Sequence, residues 1–262
     1  MSGIEVVVFA EGPSDELFLK RVVAPVLQQS QIYLKPQTLN TSRDSSGGAI
    51  NFDRLCHNVR NTLRQTGSRY LTTFFDLYAL DTGMPGVSEL HKFTQPAQKA
   101  EHIESALHLA LVAKLNCRAD RLIPYIQPYE LEGLFFSNTD ALSQAVPGWA
   151  AAAEPLRRVR QAFATPEHIN DGFDTKPSAR LAELLSPRYR KTTHAPLIGQ
   201  HLGLNTITTE CAHFAQWVRR LQSLQPFRCW CQPGISVGLK MGIKTAPCAH
   251  LVGARRFLFN SG

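Results

Sequence analysis

The segment that most constrains the fold is residues 70–86, with the sequence YLTTFFDLYALDTGMPG. Residues 70–75 are β-branched or aromatic almost throughout, which is typical of a fully buried strand in a parallel sheet. This strand would end at the carboxylate of Asp76. In open α/β sheets ligands bind outside the carboxyl ends of the strands, so the pattern places Asp76 at the mouth of the sheet.

Two other predicted strands also run into acidic residues. Residues 4–10 precede Glu11, and residues 122–127 precede Glu130 and Glu132. Three acidic strand ends at one edge of a sheet predict one divalent-metal site, because Mg²⁺ and Mn²⁺ prefer oxygen ligands. Glu130 and Glu132 would share a face on a strand but would diverge by about 200° on a helix. We therefore expect only one of them to bind metal directly.

Two further acids have alternative interpretations. The first strand leads through a tight turn at Gly12-Pro13 into a helix, with Ser14 as the predicted N-cap. Asp15, in the first turn, could point into the same mouth, or it could simply complement the helix dipole. Asp81 could support the site from the loop after the central strand, although a turn aspartate is the more common role.

The composition favours a soluble protein with a polyanionic partner. The chain has 262 residues, a hydrophobic content of 44% and a net charge of +7. This hydrophobic content can supply a substantial core, and lysine and arginine become denser after residue 155. Such a charge distribution favours a partner such as nucleic acid. No Gly-x-Gly-x-x-Gly motif indicates a dinucleotide site, and no Ser/His/Asp arrangement indicates a serine hydrolase.

Hydropathy and cysteine usage bear on the compartment. No apolar run approaches the roughly 20 residues of a membrane-spanning helix, so we do not expect an integral membrane protein. The six cysteines are scattered, and no secretory segment precedes the first predicted strand. We therefore expect Cys56, Cys117 and Cys211 to be reduced, and the protein to be cytoplasmic.

The pattern as a whole predicts an α/β fold with a largely parallel sheet of about four strands flanked by helices. This part would cover residues 1–140, with residues 32–39 as the remaining strand candidate. A basic, mostly helical lobe would follow over residues 141–226. Residues 227–262 form a tail without helical or strand periodicity, and its cysteines lack the spacing typical of a zinc site.

The basic lobe contains a predicted anion-binding position. The motif TKPSARL places Lys176, Ser178 and Arg180 at the start of a predicted helix. Backbone N–H groups and the helix dipole favour an anion there, so a phosphate group would fit. Arg188 and Lys191 would extend the phosphate-binding surface. The alternative is a solvated basic face without a specific ligand.

Four motifs, in this order, carry a resemblance to a known family: EGPSDE, TTFFDLYALDTGMPG, PYIQPYELEGLFF and INDGFDTKPSARLAELLSPRYRK. Together they resemble a bacterial TOPRIM-like family, domain-of-unknown-function family 4276, over residues 4–224. Members of this family resemble the nuclease domain of OLD-family proteins. They often occur beside an AAA or ABC-type ATPase in defence-like gene settings. The resemblance implies a TOPRIM-like fold with a metal site, and it implies a separate ATPase as a partner.

The same resemblance implies roles for individual acids. Glu11 corresponds to the TOPRIM glutamate, and Asp15 corresponds to its partner in the following turn. Asp76 corresponds to the first acid of a DxD-like motif, and Glu132 corresponds to the acid after the fourth strand. A basic residue next to the metals is also implied, and Lys176 is the candidate for it.

Two positions depart from the family pattern. Tyr78 stands where a TOPRIM domain carries its second aspartate, so a complete two-metal site would need Asp81 or Glu130 as a substitute. Tyr129 stands where we expect a histidine before the Glu-x-Glu pair.

The first functional hypothesis is a Mg²⁺- or Mn²⁺-dependent phosphodiesterase that acts on DNA or RNA. The predicted catalytic residues are Glu11, Asp76, Glu132 and Lys176. The acids predicted to hold metal are Glu11, Asp15, Asp76, Glu130 and Glu132. The residues predicted to bind phosphate are Lys176, Ser178, Arg180, Arg188 and Lys191. The alternative is a catalytically silent TOPRIM-scaffold subunit that binds nucleic acid or regulates a partner ATPase, and self-association into a homo-oligomer stays open.

Overall fold

A parallel β-sheet lies at the centre of the computed structural model, which describes residues 3–39, 50–65, 69–170 and 173–227. The strands are β1 (Ile4–Ala10), β2 (Ile32–Thr38), β3 (Tyr70–Asp76), β4 (Leu122–Ile123) and β5 (Ile126–Gln127). Their order is β2-β1-β3-β4, and β5 also pairs with β3. All of these pairs are parallel. The carboxyl ends of β1, β3 and β5 therefore meet at one edge of the sheet.

The strand predicted over residues 122–127 is divided at Pro124 into β4 and β5. Proline has no N–H to donate to a strand ladder. The hydroxyl of Thr73 serves the neighbouring residue instead: it accepts the N–H of Tyr125 at 2.9 Å and donates to the carbonyl of Tyr125 at 2.7 Å. The sheet thus has five strands where the sequence predicted about four, although the chain still reaches the same sheet edge.

Ten α-helices flank the sheet in the described ranges. They are α1 (Pro13–Phe18), α2 (Ala24–Gln28), α3 (Phe52–Gln65), α4 (Pro96–Leu115), α5 (Thr139–Gln144), α6 (Ala153–Gln161), α7 (Pro177–Leu184), α8 (Lys191–Leu202), α9 (Leu204–Glu210) and α10 (Ala212–Gln222). A π-helical turn, Leu19–Val23, joins α1 to α2. The 3₁₀ turns are Leu77–Ala79, Val87–Lys92, Ala119–Arg121, Leu131–Ser137, Trp149–Ala152, Pro166–His168 and Phe173–Thr175.

Helices cover both faces of the sheet, because the strands are apolar on both faces. Successive residues of a strand point to opposite faces. Val6 and Val8 of β1 belong to one core with α1, α2 and the C-terminal helices. Val7 and Phe9 belong to a second core with α3 and α4. The predicted α/β fold with a parallel sheet and flanking helices is therefore confirmed, as is the mostly helical C-terminal segment.

The C-terminal helices complete the first core directly. Trp217 of α10 packs against Phe74 of β3 with ring centroids 5.6 Å apart. Its indole N–H donates to the hydroxyl of Thr72 at 2.9 Å. Helix α10 is therefore a packing helix of the first core. Residues up to Phe227 cluster as one compact unit, while the domain boundary near residue 140 stays a prediction.

Some predictions concern residues that the structure does not describe. Residues 228–262 lie outside the described ranges, and with them Cys229, Cys231, Cys248 and His250 of the tail. The three cysteines that the structure describes are free thiols, as predicted. In the described part of the chain, no helix combines the length and the apolar character needed to cross a lipid bilayer.

A glycine permits the close approach of α8 to α1. A Cβ atom at Gly199 would lie 2.7 Å from Cγ2 of Val22 and 2.8 Å from the ring of Phe18. We expect Gly199→Ala to lower the free energy of unfolding by about 1–3 kcal/mol, because these buried side chains would have to shift. Urea denaturation measures this change. Leu197→Ala on the same helix is the control, since Leu197 is 42% exposed; equal effects of the two substitutions would contradict the prediction.

Candidate metal centre

Five carboxylates converge at the carboxyl ends of β1, β3 and β5. They belong to Glu11 after β1, Asp15 in the first turn of α1, Asp76 at the end of β3, and Glu130 and Glu132 after β5. Burial raises the pKa values of Glu11 and Asp76, and the neighbouring negative charges raise them further: Glu132 and Glu130 act on Glu11, and Asp15 and Glu11 act on Asp76. The structure thus brings together all five acids that the sequence selected.

Asp76 is a buried acid of the cluster and ends β3. Its Oδ1 accepts the backbone N–H of Leu131 at 2.9 Å, which fixes the carboxylate against the chain that follows β5. Burial raises the pKa of Asp76 well above its usual range, and the charges of Asp15 and Glu11 raise it further. Ionised Asp76 is therefore an unfavourable state in this environment unless positive charge is nearby.

Asp15 has both of the roles that its position allowed. The helix begins at Pro13, with Gly12 rather than the predicted Ser14 as N-cap, because proline fits the first helical position well. The N–H of Gly12 donates to Oδ2 of Asp15 at 3.0 Å, so the carboxylate stabilises the helix start. The same carboxylate faces the cluster. Burial, followed by the charge of Glu11, raises its pKa to about 7.

Glu11 lies at the rim of the cluster. Its side chain is exposed on one side, while protein atoms enclose the other. Desolvation on the enclosed side raises the pKa of Glu11, although the nearby ammonium group of Lys191 acts against this shift. Glu11 is therefore the acid of the cluster that solvent reaches most readily.

Glu130 contacts three groups from the basic lobe. Its Oε2 accepts the backbone N–H of Ser178 at 2.9 Å, and its Oε1 lies 3.2 Å from Nζ of Lys176. Nζ of Lys191 is 3.7 Å from the same oxygen. Burial alone would raise the pKa of Glu130, but Lys191 and the hydrogen bonds from Ser178 together lower it. Glu130 is thus stabilised in its ionised form.

Glu132 is 1% exposed and pairs with the same lysine. Nζ of Lys191 lies 3.2 Å from its Oε1, and the hydroxyl of Tyr189 donates to that oxygen at 3.1 Å. Burial raises the pKa of Glu132 in spite of this ion pair. Lys191 contacts both glutamates, so Glu130 and Glu132 both face the cluster. The expectation that only one of them binds metal directly stays a prediction.

The basic residues selected from the sequence fall into two groups. Lys176 and Lys191 face the carboxylates, as described above. Arg180 contacts its own lobe: its Nε donates to the carbonyl of Thr175 at 2.5 Å, and its guanidinium lies over the ring of Phe163 at 5.4 Å. Arg188 lies exposed between α7 and α8. The first turn of α7 holds an internal anion, because the N–H of Ser178 donates to the carboxylate of Glu130.

The sequence analysis missed Tyr189 and the backbone N–H of Leu131, which hold Glu132 and Asp76. The available signal for Tyr189 was its proximity to Lys191 in the motif PRYRK. A backbone donor leaves no trace in a sequence, so no signal existed for the second.

A comparison with family models identifies the group of proteins to which these residues belong. The model described as Domain of unknown function (DUF4276) matches residues 10–222. The chain belongs to this family. The match includes every acid and both lysines of the cluster. No curated protein and no solved structure matches the chain.

The donor chemistry of this DUF4276 cluster suits a hard divalent cation. Among the residues that the structure describes, five carboxylates face two ammonium groups, and the pKa values of Glu11, Asp15, Asp76 and Glu132 are all raised. Added positive charge would therefore be favourable. As the side chains of the described residues are placed, no group of three or more acidic, histidine or cysteine residues is arranged to hold a metal ion. Lys191 instead lies between Glu130 and Glu132.

Tyr78 and Tyr129 lie beside the cluster. Tyr78 is in the 3₁₀ turn after β3, and its ring centroid is 5.5 Å from that of Tyr129. Asp81, considered as a substitute acid, directs its Oδ1 to the N–H of Gly83 at 2.8 Å and so forms a turn. Of the two suggested substitutes, Glu130 is the acid that lies in the cluster.

Proposed function

We propose that the chain is a metal-dependent nuclease, a phosphodiesterase that acts on DNA or RNA. The observation that carries the proposal is the convergence of five carboxylates and two lysines at the carboxyl edge of a parallel sheet. Acids alone would repel a phosphodiester. Lysines beside a bound cation would attract it, so the combination suits phosphoryl chemistry better than either group alone.

The acids and the lysines have different tasks in this proposal. The acids that would hold Mg²⁺ or Mn²⁺ are Glu11, Asp76 and Glu132, with Asp15 and Glu130 as further ligands. The bound cation would polarise the phosphoryl oxygen and activate water. Lys191, half-exposed at the rim, would bind a phosphate oxygen, and Lys176 would offset the negative charge that develops during cleavage. Tyr189 would hold Glu132 in position.

The motif resemblance to the TOPRIM nuclease domain of OLD-family proteins supports the same function. It also supports a wider role, as the cytoplasmic effector of an ATPase-coupled anti-phage defence system. A separate AAA or ABC-type ATPase would then regulate cleavage. We expect low activity from the isolated chain and higher activity after a cognate ATPase is added, because Lys191 must leave Glu130 and Glu132 before these acids can bind metal.

The second candidate is a catalytically silent subunit that binds nucleic acid or regulates an ATPase. Two observations favour it: a tyrosine stands at position 78 in place of an acid, and Lys191 neutralises two of the acids. A structural lysine that already fills the cluster would leave little need for a metal ion.

One cleavage assay separates the two candidates. Plasmid DNA, single-stranded DNA and tRNA are incubated with the purified chain in Mg²⁺, in Mn²⁺ and in EDTA, with and without a co-expressed ATPase. The nuclease proposal expects cleavage in either metal, none in EDTA, and full activity in Asp81→Asn, since Asp81 belongs to a turn. Intact substrates under all conditions, together with measurable binding, would favour the silent subunit.

The lysines can be tested through the salt dependence of binding. Lys176→Gln and Lys191→Gln should each reduce the slope of log K against log salt concentration by about 0.7–0.9, the value for one lost phosphate contact. Fluorescence anisotropy with a single-stranded oligonucleotide measures the slope. Arg158→Gln is the matched control. It removes one positive charge, as the lysine variants do, but from an exposed ion pair on α6. Equal slopes for all three variants would show that the site lysines do not contact phosphates.

A further inference from the structure

Tyr78 presents an aromatic ring to solvent beside the carboxylate cluster. It lies two residues after Asp76, in the 3₁₀ turn Leu77–Ala79, and it is 46% exposed. In the described part of the chain, the other large apolar side chains with comparable exposure are Leu109 and Leu197, which lie on helices. A single exposed ring is common on protein surfaces, but this ring stands two residues after Asp76, beside the carboxylate cluster.

The ring of Tyr129 packs against the ring of Tyr78. The two rings are 5.5 Å apart with an interplanar angle of 35°, and the N–H of Tyr78 donates to the carbonyl of Tyr129 at 3.4 Å. Tyr129 itself packs against the core on the α3 and α4 face of the sheet. The inner ring is thus anchored in the protein, while the outer ring faces solvent.

The backbone of Tyr129 is strained. Its φ angle is +62°, in the left-handed region that a bulky residue adopts only at a cost. Such a conformation persists where the surrounding structure enforces it, and it is concentrated at functional sites. Tyr129 directly precedes Glu130, so the same strained residue sets the position of an acid and of the ring that supports Tyr78.

We propose that Tyr78, supported by Tyr129, is a stacking surface for a nucleobase of single-stranded nucleic acid. This inference rests on the proposed nuclease function and adds a substrate class to it. Stacking on an aromatic ring requires an accessible base face, which a single strand offers and the interior of a duplex does not. The tyrosine ring is uncharged, so it can hold a base beside acids that repel phosphates, while Lys191 and Lys176 attract the adjoining backbone.

The test compares strands with and without bases. Fluorescence anisotropy measures binding of the full chain, with Ca²⁺ in place of Mg²⁺, to oligodeoxyadenylate of about 12 nucleotides and to an abasic strand of equal length. We expect Tyr78→Ala and Tyr78→Leu to weaken binding of the oligodeoxyadenylate by about 5- to 100-fold, and Tyr78→Phe by less than about twofold. Binding of the abasic strand should be the same for all forms.

Tyr33→Ala is the matched control. Tyr33 lies beside Glu5 near the amino end of β2, away from the carboxylate cluster, so this substitution should leave both affinities unchanged. Unaltered binding of the oligodeoxyadenylate by Tyr78→Ala would overturn the stacking inference alone. So would an equal loss on the abasic strand, because the ring would then shape the site and not contact a base. If the wild type bound neither strand, the proposed function would fail together with the inference.

Discussion

Asp76→Asn is expected to abolish metal-dependent cleavage and, in metal-free buffer, to raise the melting temperature. Asparagine keeps an oxygen that can accept the N–H of Leu131, so the local structure should persist. The substitution removes a buried carboxyl group whose pKa is raised by burial and then by the charges of Asp15 and Glu11. We expect a loss of cleavage of about a hundredfold or more, because a metal ligand is lost. The melting temperature should rise by a few degrees, since about 1 kcal/mol corresponds to about 2–4 °C in a chain of this size.

Two measurements on the same variant check this result. Gel-based cleavage in Mn²⁺ reports activity, and differential scanning calorimetry in EDTA reports stability. Asp81→Asn removes a carboxylate from the neighbouring turn and should leave both unchanged. Cleavage by Asp76→Asn at the wild-type rate would show that Asp76 holds no catalytic metal. A lower melting temperature would show that its charge is stabilised in the folded protein.

The acids were predictable because their positions follow from short-range sequence patterns. A continuous apolar run predicts a buried parallel strand, and such strands end at one edge of the sheet. Glu11 after β1 and Asp76 in β3 could therefore be paired without any knowledge of the tertiary structure. The strand bounds of β1 agree with the prediction to the residue. The break at Pro124 shortened the last strand without moving its carboxyl end.

The partners of these acids were not predictable, because they depend on contacts between distant segments. Lys191 meets Glu132 across 59 residues of chain, and the N–H of Ser178 meets Glu130 across 48. A basic motif at a helix start suggests an anion, yet the sequence does not reveal that the anion is a carboxylate of the same protein. The contacts of Arg180 with Thr175 and Phe163 were equally absent from the sequence signal, and its selection as a phosphate-binding residue stays a prediction.

The stability of the metal-free protein is expected to fall as the pH rises from about 4 to about 7. The pKa of Asp15 rises from 3.8 to about 7 on folding, through burial and the charge of Glu11. Between these values the folded state retains a proton that the unfolded state has lost, so the free energy of unfolding decreases with pH. A shift of this size corresponds to about 4 kcal/mol. The raised pKa values of Asp76, Glu11 and Glu132 act in the same direction.

Mn²⁺ should reverse this trend, because it binds the ionised carboxylates and stabilises the folded state more as the pH rises. Melting temperatures measured in EDTA and in Mn²⁺ across this range would diverge with increasing pH.

Other titrating groups contribute to the pH dependence of stability. Exposed acids with lowered pKa values, such as Asp53 and Asp120, lose their ion pairs only below about pH 4. His213, whose pKa is raised, acts in the same direction as Asp15. These contributions cancel when the melting temperature of Asp15→Asn is subtracted from that of the wild type at each pH. If that difference did not change with pH in EDTA, Asp15 would not be the acid that opposes folding at neutral pH.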